Sequence, residues 1–144
     1  MAKLVLDTMA MQEDFFEESA MLGIATALPA YHLCWLFNNH LEVNFVRDPE
    51  MNITSQKKDD QYFFPVYKYD LPNSSHRYLL YKLKNGVELL LPETKQLDYL
   101  WMVQTADPTE DVKRIANGVR NMPDIQLAQI FAPGQLKNLN NLLI

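Results

Sequence analysis

The chain has 144 residues, 48% of them apolar and 22% charged, a balance that suits one folded domain and is far from the polar makeup of disordered chains. Its formal net charge of −5 opposes a phosphate-neutralising surface, and the basic pair Lys57-Lys58 is cancelled at once by Asp59-Asp60, so nucleic acid is not expected as a partner. The single cysteine, Cys34, cannot close an internal disulfide, and Met1 to Leu6 is too short for a signal peptide, so the chain reads as cytoplasmic.

In chain order, Lys3 to Asp7 reads as a short strand and Phe15 to Ala25 as a second, in which Gly23 permits a bulge or a close approach. Pro29 suits the first turn of a helix. From there Ala30, Leu33, Cys34, Phe37 and Leu41 recur at the three-and-four spacing of one helical face, which predicts a helix near residues 29 to 42 covering a sheet. The uncharged run from Ala20 to Phe37 does not read as a membrane span. Gly23, Thr26, Pro29 and His32 interrupt it, and it is flanked by Glu17-Glu18 and Asn38-Asn39 rather than by Lys or Arg.

Beyond Leu41 the period changes to two, with Val43, Phe45 and Ile53 on strands separated by the Asp48-Pro49-Glu50 turn. Gln61 to Tyr69 reads as one aromatic strand, with Phe63, Tyr67 and Tyr69 on one face and Tyr62, Phe64 and Val66 on the other; Pro65 places it at an edge or a bulge. Asn85-Gly86 predicts a two-residue hairpin joining Arg77–Lys84 to Val87–Leu91. A reversal at Glu93 to Gln96 then leads into Leu97 to Gln104, where Tyr99, Trp101 and Val103 face one way and Leu100 and Met102 the other, the mark of a central strand covered on both sides.

Asp107-Pro108-Thr109-Glu110 fits a capped helix start, followed by the stripe Val112, Ile115, Ala116 and Val119 and a stop at Asn121 to Pro123. Ile125 to Phe131 and Leu136 to Ile144 read as short helices, the leucines of the second docking on the core or meeting another subunit. The expected fold is α+β, a single domain over 1–144: an antiparallel β-sheet meander of five to seven strands packed against one long helix and C-terminal helices.

Leu91-Pro92-Glu93 followed by Leu97-Asp98-Tyr99 closely resembles the Ile-Pro-Glu-x-x-x-Val-Asp-Tyr signature of the bacterial IPExxxVDY family, with leucine at both aliphatic positions. The opening Met1 to Asp7 and the run Tyr31-His32-Leu33-Cys34-Trp35 are similar to that family as well. The resemblance implies a small single-domain protein and carries over no catalytic or ligand residue.

Within that segment, Glu93 and Asp98 flank a turn where two carboxylates can share a proton or hold a cation, or can instead accept backbone N–H groups. The second role weighs more, because no His, Lys or further carboxylate nearby in sequence completes a site. Glu93, Asp98 and Tyr99 are therefore candidate binding residues only. His32, Cys34 and His40 are spaced wrongly for a shared metal, and Cys34 reads as a buried, unreactive thiol. With four glycines and no Gly-x-Ser-x-Gly elbow, no catalytic residue, cofactor or metal is expected. The aromatic band leaves Tyr67 and Tyr69 as interface candidates on an edge strand that can add to a second copy or a partner. The functional expectation is a non-enzymatic interaction or adaptor module, a homodimer; the alternative is a small-ligand binding protein or unrecognised enzyme with a pocket near Glu93, Asp98 and Tyr99.

Overall fold

The computed structural model describes residues 16, 18–57, 60–86 and 88–142, so the strand expected over Lys3 to Asp7 lies outside the described residues. Along the described chain run β1 (Ser19–Thr26), α1 (Ala30–His40), β2 (Val46–Arg47), β3 (Ile53–Lys57), β4 (Asp60–Phe64), β5 (Val66–Asp70), β6 (Arg77–Lys82), β7 (Lys84–Asn85), β8 (Glu88–Leu89), β9 (Tyr99–Gln104), α2 (Pro108–Arg120) and β10 (Ile125–Phe131). The fold is α+β: six strands form an antiparallel sheet in the order β10-β1-β9-β6-β5-β2, and β3-β4 and β7-β8 form separate two-stranded ribbons.

The alternation in β9 decides the layering. Tyr99, Trp101 and Val103 share a core with Leu22 and Ile24 of β1, Leu80 of β6, Leu33, Cys34 and Phe37 of α1, and Val112, Ile115, Ala116 and Val119 of α2. Leu100 and Met102 enter a second core on the opposite face with Met21, Leu79, Tyr81, Phe64, Leu91, Leu97, Leu136 and Leu142. One face is thus covered by helices, and the other by short ribbons, turns and the C-terminal stretch. Trp101 is fully buried and anchors the helical side, with the rings of Phe45, Phe37 and Tyr78 at centroid distances of 4.9, 5.1 and 5.5 Å.

Both helices form on the stripes read from sequence, with Pro29 at the N-cap of α1 and Asp107 at the N-cap of α2. Asp107 makes no capping bond with its side chain; instead the Thr105 hydroxyl donates to Asp111 at 2.6 Å across the same turn. Three local expectations change. Pro65 splits the aromatic stretch into β4 and β5, which pair in different sheets. Asn85 pairs with Glu88, so the reversal lies one residue later than expected, with Gly86 at a φ of +61°. Ile125 to Phe131 is a strand rather than a helix, because β1 presents an unpaired ladder edge that β10 fills from Met21↔Phe131 to Thr26↔Ile125. The Leu136 and Leu142 side chains dock on the second core, where the Tyr81 hydroxyl donates to the Leu142 carbonyl at 2.8 Å.

Gly23 lies in the middle of β1, between β9 and β10. A Cβ there would stand 2.4 Å from Leu97 Cδ1 and 2.9 Å from the Phe131 ring, and Leu97 is fully buried. Gly23→Ala is therefore expected to cost about 1–3 kcal/mol by overpacking. Adding Leu97→Val should recover part of that loss, which urea unfolding of both single variants and the double variant would show as a non-additive cycle.

Candidate functional site

The segment from Leu91 to Tyr99 is anchored in the second core by its two leucines, both buried, and turned by a short 3-10 helix over Pro92–Thr94. The turn closes on itself: Thr94 N–H and hydroxyl both donate to the Leu91 carbonyl, at 3.0 and 3.1 Å, and Leu97 N–H donates to the Thr94 carbonyl at 3.0 Å. This geometry turns the half-buried Glu93 outward onto the C-terminal stretch. Its Oε2 accepts the Asn138 N–H at 2.6 Å and its Oε1 the Asn138 amide at 3.0 Å. Partial burial pushes the Glu93 carboxyl up, but the bonds from the Asn138 side chain and from neighbouring backbone N–H groups outweigh it and hold the group below the usual glutamate range.

Asp98 occupies a different environment. Its Oδ2 accepts Thr26 N–H at 2.9 Å, its Oδ1 accepts Lys84 Nζ at 3.0 Å, its N–H donates to the Ile24 carbonyl, and its carbonyl accepts Leu83 N–H. One residue therefore ties the end of β1, the β6–β7 junction and the start of β9. Tyr99 extends the tie, its hydroxyl donating to the Leu28 carbonyl at 2.8 Å and fixing the loop into α1. Burial, reinforced by Tyr67 and by the Asp98 carboxylate, pushes that hydroxyl well above its ordinary pKa, which keeps it a donor.

Asp98 and Tyr99 line an open depression of about 300 Å³ with Thr26, Leu28, Lys82 and Lys84, whereas Glu93 is committed to Asn138 and is not among its walls. The three candidate binding residues thus divide between two places. Tyr67 and Tyr69 sit on β5, whose outer side is covered by β2 only at Val46↔Lys68 and Arg47↔Tyr67. Both rings are half-buried against the helical core, and Tyr69 meets Tyr78 edge-on at 6.0 Å. Tyr69, Tyr78 and Trp101 form one wall of a cleft of about 320 Å³, with Arg114 and Glu42 at its polar side. Bonding to the Tyr78 side chain, and then to Asp111, raises the Arg114 pKa against the effect of burial.

Cys34 lies on the buried side of α1 and His32 and His40 on its exposed side, so the three do not meet. Burial pushes the Cys34 thiol up to about 12. Among the described residues no group of three His, Cys, Asp or Glu converges, and no helix is long and apolar enough to cross a membrane.

A surface not singled out in the sequence lies on the outer face of α1. Tyr31 is 77% exposed and Trp35 59% exposed, one helical turn apart, with the His32 ring 6.4 Å from Tyr31 and 6.1 Å from Trp35. Both rings fall outside the buried stripe of Ala30, Leu33, Cys34 and Phe37, so a helical-wheel reading of that stripe carries the signal. Protein-family models, curated proteins and solved structures give no match to this chain, so its functional reading rests on its own geometry.

Asp98→Asn is expected to lower stability by about 1–3 kcal/mol, because Lys84 and the Thr26 N–H lose a charged acceptor. For Glu93 the depressed pKa means stability that is present above the unfolded-state pKa and lost as pH falls through the folded-state value. Glu93→Gln should therefore flatten the acid side of the stability–pH curve while costing about 1 kcal/mol or less at neutral pH, the exposure of the group screening the effect. Native Cys34 is expected to resist a disulfide reagent at pH 8, where burial keeps the thiol protonated, and to react fully once urea unfolds the chain.

Proposed function

We propose that this chain is a non-catalytic interaction module of the IPExxxVDY family that acts in the cytoplasm and self-associates as a symmetric dimer. The observation that carries this reading is the exposed Tyr31–Trp35 pair on α1. Tyr and Trp on one rigid helical face present large amphipathic area at low entropic cost, and these residue types dominate the energetics of protein contacts. The polar groups of the signature segment support the same reading from the other side. Glu93, Asp98 and Tyr99 each hydrogen-bond to a part of the chain distant in sequence, which supports a structural role for them. The acidic net charge favours a protein over a nucleic-acid partner.

The contact surface in this reading shifts from Tyr67 and Tyr69, whose rings lean on the core, to α1. A second reading, a small-ligand binding protein, is favoured by the aromatic cleft beside Arg114, which combines apolar walls with one cation.

Replacing Tyr31 and Trp35 together by Ser is expected to weaken self-association by at least about thirtyfold, the loss of a 2 kcal/mol anchor, while leaving the melting temperature nearly unchanged. Native mass spectrometry across a dilution series, with the denatured mass alongside, is the measurement. An unchanged oligomer distribution would refute the α1 surface, and a reproducible mass excess on the native protein would favour the ligand reading.

A further inference from the structure

The outer edge of β10 has no strand neighbour among the described residues. Its polar groups can be assigned from the ladder on its other side. The Ile24 carbonyl faces β9, where it accepts Asp98 N–H at 2.8 Å, so Ile24 and its partner Ala128 form a pair whose polar groups point away from each other. The N–H and C=O of Ala128, and of Ile130 two residues on, are therefore directed out of the sheet.

That direction would normally invite another strand. Ile125 to Phe131 contains no charged residue and no proline, the two devices that most often blunt an edge. The strand carries two other obstacles. The register shift opposite Ala25 and Thr26 leaves Gln126 without a partner residue, a bulge at the start of the strand. The second obstacle is Arg120, in the last turn of α2. Its guanidinium wraps over the edge and donates twice to the Ala128 carbonyl, from Nε at 3.0 Å and from Nη2 at 2.8 Å. No carboxylate among the described residues forms an ion pair with Arg120, so this carbonyl is its principal bonded partner. Arg120 is exposed, but its guanidinium is held against the middle of the edge, so two copies meeting there would set two cations against each other and cover the carbonyl each of them already engages.

We propose that the outer edge of β10 is a latent strand-pairing surface for a second copy of this chain and that Arg120 is the side chain that keeps it closed. The pairing it suppresses is specified by the outward groups. Beyond the bulge only Ala128 and Ile130 face outward, so two antiparallel copies match Ala128 of each with Ile130 of the other and place Gln129 opposite Gln129 on the two-fold axis. Gln129 is exposed and neutral, and no like charges oppose each other within the strand itself. Arg120 is thus the removable block. This inference stands apart from the α1 surface and requires neither Tyr31 nor Trp35.

Arg120→Ser is the test, read by light scattering and by amide exchange. Relative to the parent protein, the variant is expected to show a species of doubled mass that grows with concentration, with the Ala128 and Ile130 amides exchanging at least about tenfold more slowly. Adding Gln129→Lys, which sets two lysines against each other on the axis, should return the parent mass. Arg120→Gln, which keeps a donor and loses the charge, replaces Arg120→Ser if the latter does not fold. Parent mass for the folded variant, with Ala128 and Ile130 exchanging as fast as in the parent, would overturn the proposal. So would added mass that Trp35→Ser removes and Gln129→Lys does not, which would assign the contact to α1.

Discussion

Everything in this fold follows from β9 being apolar on both faces. A strand carrying Tyr99, Trp101 and Val103 on one side and Leu100 and Met102 on the other cannot lie against water on either side, so the sheet must be covered twice. Two helices supply one cover with long, regular stripes. Little continuous secondary structure remains for the other, which is assembled from the β3–β4 and β7–β8 ribbons, the turn over Pro92–Thr94 and the stretch around Leu136 and Leu142. An assembled cover needs polar fasteners, and the conspicuous carboxylates of the chain serve as these: Glu93 holds Asn138, and Asp98 holds Thr26 and Lys84.

The signature-like segment takes on a physical meaning in this arrangement. Its aliphatic positions, Leu91 and Leu97, fix the segment in the core, its proline sets the turn, and its two carboxylates and tyrosine each cross to a part of the chain distant in sequence. The same spacing that builds a turn and its fasteners also resembles a pair of acid–base groups. The distinction rests on partners. In this structure Asp98 accepts a backbone N–H and a lysine, bonds that tie distant parts of the chain together.

The sequence conveyed the elements whose pattern is local and repeated. The stripes of α1 and α2, the two faces of β9 and the close approach at Gly23 were readable from spacing and residue type, whereas Pro65, read as an edge or a bulge in one strand, divides two strands of different sheets. β10 was not. Ile125, Leu127 and Phe131 are spaced compatibly with a strand, but the strand exists because β1 offers an empty edge, and that edge is defined by chain far away. The same reason separates the two carboxylates: neighbours around one turn in sequence, they are drawn apart by Asn138 on one side and by Thr26 and Lys84 on the other. Tyr31 and Trp35 were visible as aromatics, yet their exposure depends on no other element among the described residues covering the outer side of α1.

The position of β1 also sets the order in which the molecule can be assembled. Its neighbours in the sheet are β9 and β10, with Ser19 beside Gln104 and Met21 beside Phe131, so both its ladders join it to strands far later in the chain. The β5–β6 hairpin needs only a short loop and can close early, while β1 must wait, apolar on both sides, until most of the polypeptide has been made. Such non-local pairing belongs to the slow end of the folding-rate range and leaves an aggregation-prone strand exposed in the meantime. During synthesis the first described strand is therefore among the last to find its partners.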